Sequence, residues 1–447
     1  MNQQNPASLP NTHTFYLFRN TATDSKENMQ ISYIAEEMRN QTKLLMQPYT
    51  NCEEHLTSAP LSIAILGELV FISSKTDFSI NKNPPKDGYK HIRYPDSFRV
   101  CLMQVCNSGW GAFNEAHKNM DQIRLHTMRV PDYMKIAVKI LFQGNYKVVE
   151  AHLPDQLENI RVIADECLDL AGSTEKRFTD VINIIQELLE ACVNAEHFYG
   201  EELERVERET QTNQTENVKQ KKSASERASE NARFRIEQSR AQLKETMGFY
   251  EKSVENMEKN KKELTEILIT MRNCEVKEID FNTTIQMLVK GMDAMGRVKE
   301  QWEKMVRFFS MVSNIVKTSL TRTLKDFAST SEKTQSLSYN SKLFSKDLLY
   351  NQAFQATNIA SLGHMISATY TEVSEKYLMD RVSSLGKLMA MDKEKPEFEQ
   401  ERLQLQNSCD EAQKAILSLV LKNKDDFERK TNARLEKIDK ELLAILP

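Results

Sequence analysis

Eight histidines and seven cysteines are the side chains of this 447-residue sequence best suited to ligate a metal, move a proton or attack an electrophile. Their spacing does not favour that work. His13, His55, His91, His117, His126, His152, His197 and His364 form no HExxH pair and join no two cysteines at zinc spacing. His197 alone sits in an acidic setting, NAEHFYGEEL, beside Glu196, Glu201 and Glu202. Those carboxyls lack the dense apolar face that would raise their pKa values and enclose a substrate, so the stretch reads as a surface helix. In CLMQVCNSGWG, Cys101 and Cys106 are separated by four residues and share a face if helical. A reactive thiolate also needs access and a basic neighbour, which this stretch does not provide, and both read as buried thiols. The GWG triplet has no phosphate-loop lysine or hydroxyl, and Gly109, Trp110 and Gly111 read as turn and packing residues. No catalytic residue, cofactor, metal or small-molecule substrate is expected.

The cysteines, at 52, 101, 106, 167, 192, 274 and 409, are odd in number and scattered, unlike a disulfide scaffold or a paired CxxC site. They suit a reducing compartment. The opening MNQQNPASLPNTHTF has no basic run followed by an apolar one, so a soluble cytoplasmic protein is expected, with unconventional export as the alternative. Sixty basic against 64 acidic residues leave a net charge of −4, which argues against nucleic acid as a partner.

The elements behind these side chains are helices. Twelve glycines and 11 prolines make about 5% of the chain, against roughly 12% in average globular proteins, so few residues are present to stop a helix. WEKMVRFFSMVSNIVKTSL shows the pattern most clearly, with Trp302, Val306, Phe309, Val312 and Val316 at three- and four-residue steps and Glu303, Arg307, Ser310, Asn314 and Lys317 opposite. A charged stripe is costly inside a bilayer, so these five residues are expected to pack in the core.

Prolines 6, 10, 48, 60, 84, 85 and 95 break up the first hundred residues, and NKNPPKDGYK reads as a loop. Residues 1–107 are therefore expected to form a cap or partly ordered arm. Within them Leu61, Ile63, Ile65, Leu66, Leu69, Val70, Phe71 and Ile72 form an apolar patch that carries Glu68. At twelve residues the patch is too short to span a bilayer, but it is the candidate for membrane contact. Helical periods dominate residues 108–394, with Pro131 as a boundary, Pro154 in the first turn of a helix, and a loosening at Gly172-Ser173-Thr174. Residues 207–231 are too polar to pack and read as a tip or linker, after which a return helix from Ala232 carries Ile267, Met271 and Cys274 on its apolar path. Lys395-Pro396 marks a break before a final amphipathic segment, 395–447. The expected fold is all-α, an elongated antiparallel helical bundle with a long coiled-coil-like hairpin.

The polar-tipped hairpin and QWEKMVRFFSMVSNIVK resemble the all-helical pore-forming toxins, whose long helices stand beside a separate membrane-active head. ENIRVIADECLDLAGSTEKRFTDVINIIQELLEACVNAEHFYGEELE is similar to a group of uncharacterised long-helix animal proteins. The resemblance covers residues 108–320, and it implies a long-helix architecture with a lipid membrane as a partner. The sequence departs from the toxin pattern in having no apolar hairpin of membrane length. The expectation is a non-enzymatic interaction or scaffold protein that binds a protein partner or itself. A pore-forming or membrane-perturbing protein that changes shape on lipid is the alternative.

Overall fold

The computed structural model describes residues 52–75, 77–211 and 281–444, and they are all-helical, without a strand among them. Six continuous helices follow one another: α1 (Cys52–Lys75), α2 (Phe98–Gln143), α3 (Tyr146–Gln211), α4 (281–335), α5 (339–390) and α6 (Pro396–Ala444). One wider π turn interrupts α4 at Ile315–Thr321 and another interrupts α5 at Ser374–Leu378. The expected segments 1–51, most of the polar tip, and the apolar path through Ile267, Met271 and Cys274 lie outside the described residues.

Local chemistry fixes several helix ends. Ser97 accepts the Val100 amide at 3.1 Å and caps α2, Asn145 Oδ1 accepts the Val148 amide at 3.0 Å to start α3, and Pro396 opens α6, where a missing amide hydrogen costs nothing. Three other prolines are not boundaries. Pro60 lies inside α1, Pro131 inside α2 and Pro154 inside α3, which corrects the breaks expected at the first two and the helix start expected at the third. An internal proline costs ~3 kcal/mol. These helices each bury long apolar faces on both sides of their proline, so packing outweighs the lost backbone bond. Gly109, Trp110 and Gly111 are likewise helical rather than in a turn, and the first helix of the long bundle begins at Phe98, not Ser108.

α3 has 66 residues, a length of ~100 Å at ~1.5 Å per residue. It runs through 172–174 without interruption. Thr174 Oγ1 donates to Leu170 O at 2.8 Å, and Asn119 Nδ2 of α2 donates to Ser173 Oγ and Thr174 Oγ1 at 2.9 and 3.0 Å. The expected weak point is therefore a helix-to-helix polar clasp.

The pairings are antiparallel. Between α2 and α3, Glu115 meets Arg177 at 2.6 Å and His126 meets Glu166 at 2.9 Å. Between α3 and α4, Ser310 donates to Glu175 at 2.6 Å, and Arg161 reaches Glu332 at 2.6 Å. Between α2 and α5, His364 Nδ1 lies 3.0 Å from Arg124 O and Phe142 stacks on Tyr350 at 6.2 Å.

Midway along the bundle, Trp302 stands 5.3 Å from Phe113 and 5.1 Å from Phe178, while Phe309 stands 4.5 Å from Phe178 and 5.2 Å from Tyr370. Trp302, Phe309, Val312 and Val316 are buried, and Val306 is partly buried against the same core. The indole reaches this position because residue 109 is glycine: a Cβ there would lie 3.1 Å from the Trp302 ring.

Candidate functional site

α1 is the element whose composition and position need explaining. All eight residues of the apolar patch, Leu61, Ile63, Ile65, Leu66, Leu69, Val70, Phe71 and Ile72, are buried, so none faces lipid in this conformation. The patch is also longer than the twelve-residue run suggested. Cys52, Leu56 and Ala59 extend it toward the amino terminus at helical spacing, and the resulting 24-residue helix is long and apolar enough to cross a membrane. Among the described residues it is the one helix that meets that test, and a core helix meets it as well.

The hydroxyls of α1 are satisfied within the helix itself, while, among the described residues, Glu53 Oε2 and His55 Nδ1 near its amino end are buried without a hydrogen-bond partner. Thr57 donates to Glu53 O at 2.8 Å, Ser62 to Ala59 O at 2.8 Å, Ser73 to Val70 O at 3.1 Å and Ser74 to Phe71 O at 2.6 Å. Such bonds survive transfer to an apolar solvent, because they use no outside partner. Glu68 is different. It is 1% exposed in the middle of the helix and accepts a short hydrogen bond from Arg402 Nη1 of α6. The guanidinium also lies over the Phe71 ring at 4.7 Å, and Phe71 stacks on Phe398 at 5.3 Å. Desolvation makes this pair costly to assemble and costlier still to break one-sidedly.

The rest of the bundle holds α1 by its two ends and one close approach. At the carboxyl end Arg99 of α2 donates to Ser73 O at 2.8 Å and Ser74 O at 2.9 Å, pairing orphan carbonyls of the last turn. At Gly67, a Cβ would fall 2.8 Å from Leu405 Cδ2, so the glycine leaves room for the Leu405 side chain of α6 against α1. At the amino end Lys304 of α4 pairs with Glu54 at 3.3 Å, and Gln413 of α6 donates to Thr57 O at 3.1 Å. His55 lies there too. Burial first, then Arg307 and Lys304 against the opposing pull of Glu54, hold its pKa down to about 4.

The groups first considered for chemistry are placed apart. Cys101, Cys106, Cys167 and Cys409 are buried thiols that desolvation pushes up to about 12, and burial raises Cys52 and Cys192 as well. Thiolate chemistry is disfavoured at all six. His197 is exposed and lies 3.3 Å from Glu201, one turn along the same helix. Among the described residues no three His, Cys, Asp or Glu side chains converge at metal-binding distance. A recess beside Asp425, Glu428, Arg429, Asn432 and Ala433 runs along one face of α6 and is open to solvent.

Arg402 escapes a reading by motif but leaves a trace in the pattern. Phe398, Leu405, Cys409, Ala412, Ile416 and Val420 are the buried stripe of α6, and Arg402 falls in that stripe at the same three- and four-residue spacing. A lone cation on an apolar stripe calls for a buried anion, and Glu68 in LSIAILGELVFI is its counterpart. No family model matches the chain, and no curated protein matches it.

Proposed function

We propose that this chain is a non-enzymatic helical protein that works by contact, and that its bundle stores α1 for transfer to a lipid membrane. The observation that carries the reading is the combination in α1 of membrane length, internally satisfied hydroxyls and one mid-helix charge met by an outside partner. Leaving the bundle requires Glu68 to part from Arg402, and that carboxyl is then the main polar group left to desolvate in the centre of the helix. The long hairpin suggested by the antiparallel α3 and α4 then serves as the rigid body from which α1 swings.

A second reading treats α1 as a permanent core helix of a scaffold that binds another protein or itself. The close, matched packing of Gly67 on Leu405 and of Arg402 between Glu68 and Phe71 favours it. Dye release from lipid vesicles at neutral and acidic pH separates the two: the stored-helix reading expects concentration-dependent release, the scaffold reading intact vesicles. Charged substitutions at Ile65 and Val70 are poor controls, because both side chains are buried in the bundle and their replacement would unfold it.

A further inference from the structure

The two ends of α1 are held differently. Beyond its carboxyl end, residues 77–97 form a strap tied to the helices beneath it. Asp77 Oδ1 accepts the Phe78 and Arg99 amides, each at 3.0 Å, and Asp77 Oδ2 accepts the Ser97 hydroxyl at 2.5 Å. Glu187 of α3 accepts three consecutive strap amides, those of Lys90, His91 and Ile92, at 2.6, 2.5 and 2.6 Å, and the Tyr199 hydroxyl donates to Ser79 O at 3.0 Å. With Arg99 on the Ser73 and Ser74 carbonyls, the last turn of α1 and the strap that follows are pinned to α2 and α3.

The amino end buries Cys52, Leu56 and Ala59 fully, but its polar groups are placed less well. Pro60 has no amide to offer the Leu56 carbonyl, so a backbone bond is missing between the first turns and the rest of the helix. The orphaned Glu53 Oε2 and His55 Nδ1 lie in those same turns, where burial penalises them. The charges acting on His55 are Glu54 of α1 itself and Lys304 and Arg307 of α4. Glu54 is already engaged, since it and Glu300 both lie on Lys304, at 3.3 and 3.6 Å. From α6, Lys424 acts on Glu53. The π turn of α5 also packs on α1 and carries Glu375 and Lys376, both exposed, with Lys376 paired to Glu372 at 2.7 Å. Later turns of α5 meet α1 through Leu388 at Gly67, and α2 meets it through Arg99 at the far end. A proton added to His55 therefore arrives beside two cations and one carboxylate that is already shared.

We propose that α1 opens from its amino end, that acid drives the opening by charging His55, and that the strapped carboxyl end is the hinge on which the helix turns. The inference deepens the stored-helix reading by naming a trigger and a direction, and rests on it for its purpose, but the opening itself needs no lipid. His55 is held at about 4 in the packed helix, first of all by burial, and returns to 6.5 when opened, so it favours opening about tenfold more at about pH 5.5 than at about pH 7.5. Glu53, raised by burial, binds a proton more readily when packed and takes back part of that gain, which leaves roughly a three- to tenfold net change. Hydrogen exchange of the full chain without lipid, read as protection factors at the two pH values so that intrinsic rates cancel, tests it. At the lower pH the amides of residues 56–62 are expected to lose protection by that factor, while those of 66–75 and 90–92 keep theirs. His55→Gln, neutral at both pH values, is expected to lose the response, with a circular dichroism spectrum at the higher pH that matches the wild type. Loss spread evenly along α1 or beginning at 66–75, no loss at all, or loss that His55→Gln retains overturns the proposal. Opening in the expected pattern with vesicles left intact at both pH values supports the hinge and removes the stored-helix reading; dye release without that pattern does the reverse.

Discussion

At the scale of single residues the bundle turns on Glu68 and Arg402, an ion pair buried between α1 and α6, with the exposed Glu399 carboxylate 3.6 Å from the same guanidinium. Arg402→Met alone is expected to lower stability to urea by about 3–5 kcal/mol. Adding Glu68→Leu should recover most of that loss, since an apolar pair of similar volume is often neutral or better. An additive loss in the double variant would show that the two side chains act separately. His55 gives a pH dependence with a definite sign. Its pKa falls from 6.5 to about 4 in the packed state, so the packed state gives up a proton that the released state keeps. Its contribution is complete above 6.5 and disappears as pH falls toward about 4, on the order of 3 kcal/mol in all. Glu53, raised by its burial, works the opposite way at the acid end, so the loss sets in first in the upper part of that window. His55→Gln should flatten urea midpoints measured through this range. The sequence displayed both halves of the Glu68–Arg402 pair as charges within apolar patterns. It could not show that they meet, because 334 positions separate them and only the fold closes that distance.

At the scale of elements, apolar spacing was informative where a face is wide and continuous. The stripe through Trp302, Phe309, Val312 and Val316 is a buried face of α4, and Phe309→Asp is expected to cost at least about 4 kcal/mol by calorimetry or urea titration, through lost packing and a buried charge. Element ends were less legible. Proline is a helix breaker only when nothing else holds the helix, and Pro60, Pro131 and Pro154 lie where long apolar faces on neighbouring helices do so. α1 was underread for a related reason. Cys52, Leu56 and Ala59 carry its apolar face into a stretch that looks polar in linear order, CEEHLTSAP, and only helical spacing gathers them onto one side. Gly67 marks where α1 touches α6, and Gly67→Leu should loosen that seam. Hydrogen exchange in α1 should then rise well above that in α2, with the rest of the bundle protected; equal protection in both helices would contradict the role given to this contact.

At the scale of the whole molecule, four of the other five helices among the described residues pack against the one of membrane length, and the account depends on whether that helix leaves. Length, scarce turn residues and periodicity made the all-helical character readable from the sequence. The sheltering of α1 was not, because its neighbours come from α2, α4, α5 and α6, far apart along the chain. A reversible tether addresses the question most directly. Residue 67 faces the Leu405 side chain at close range, so Gly67→Cys with Leu405→Cys places two thiols across the α1–α6 seam. Dye release from anionic vesicles is then measured with the pair oxidised and again after reduction. The account predicts that the oxidised protein leaves the vesicles intact and that reduction restores release to the level of the single-cysteine controls. Release at the same rate in both states, with the disulfide shown to be formed, would contradict it.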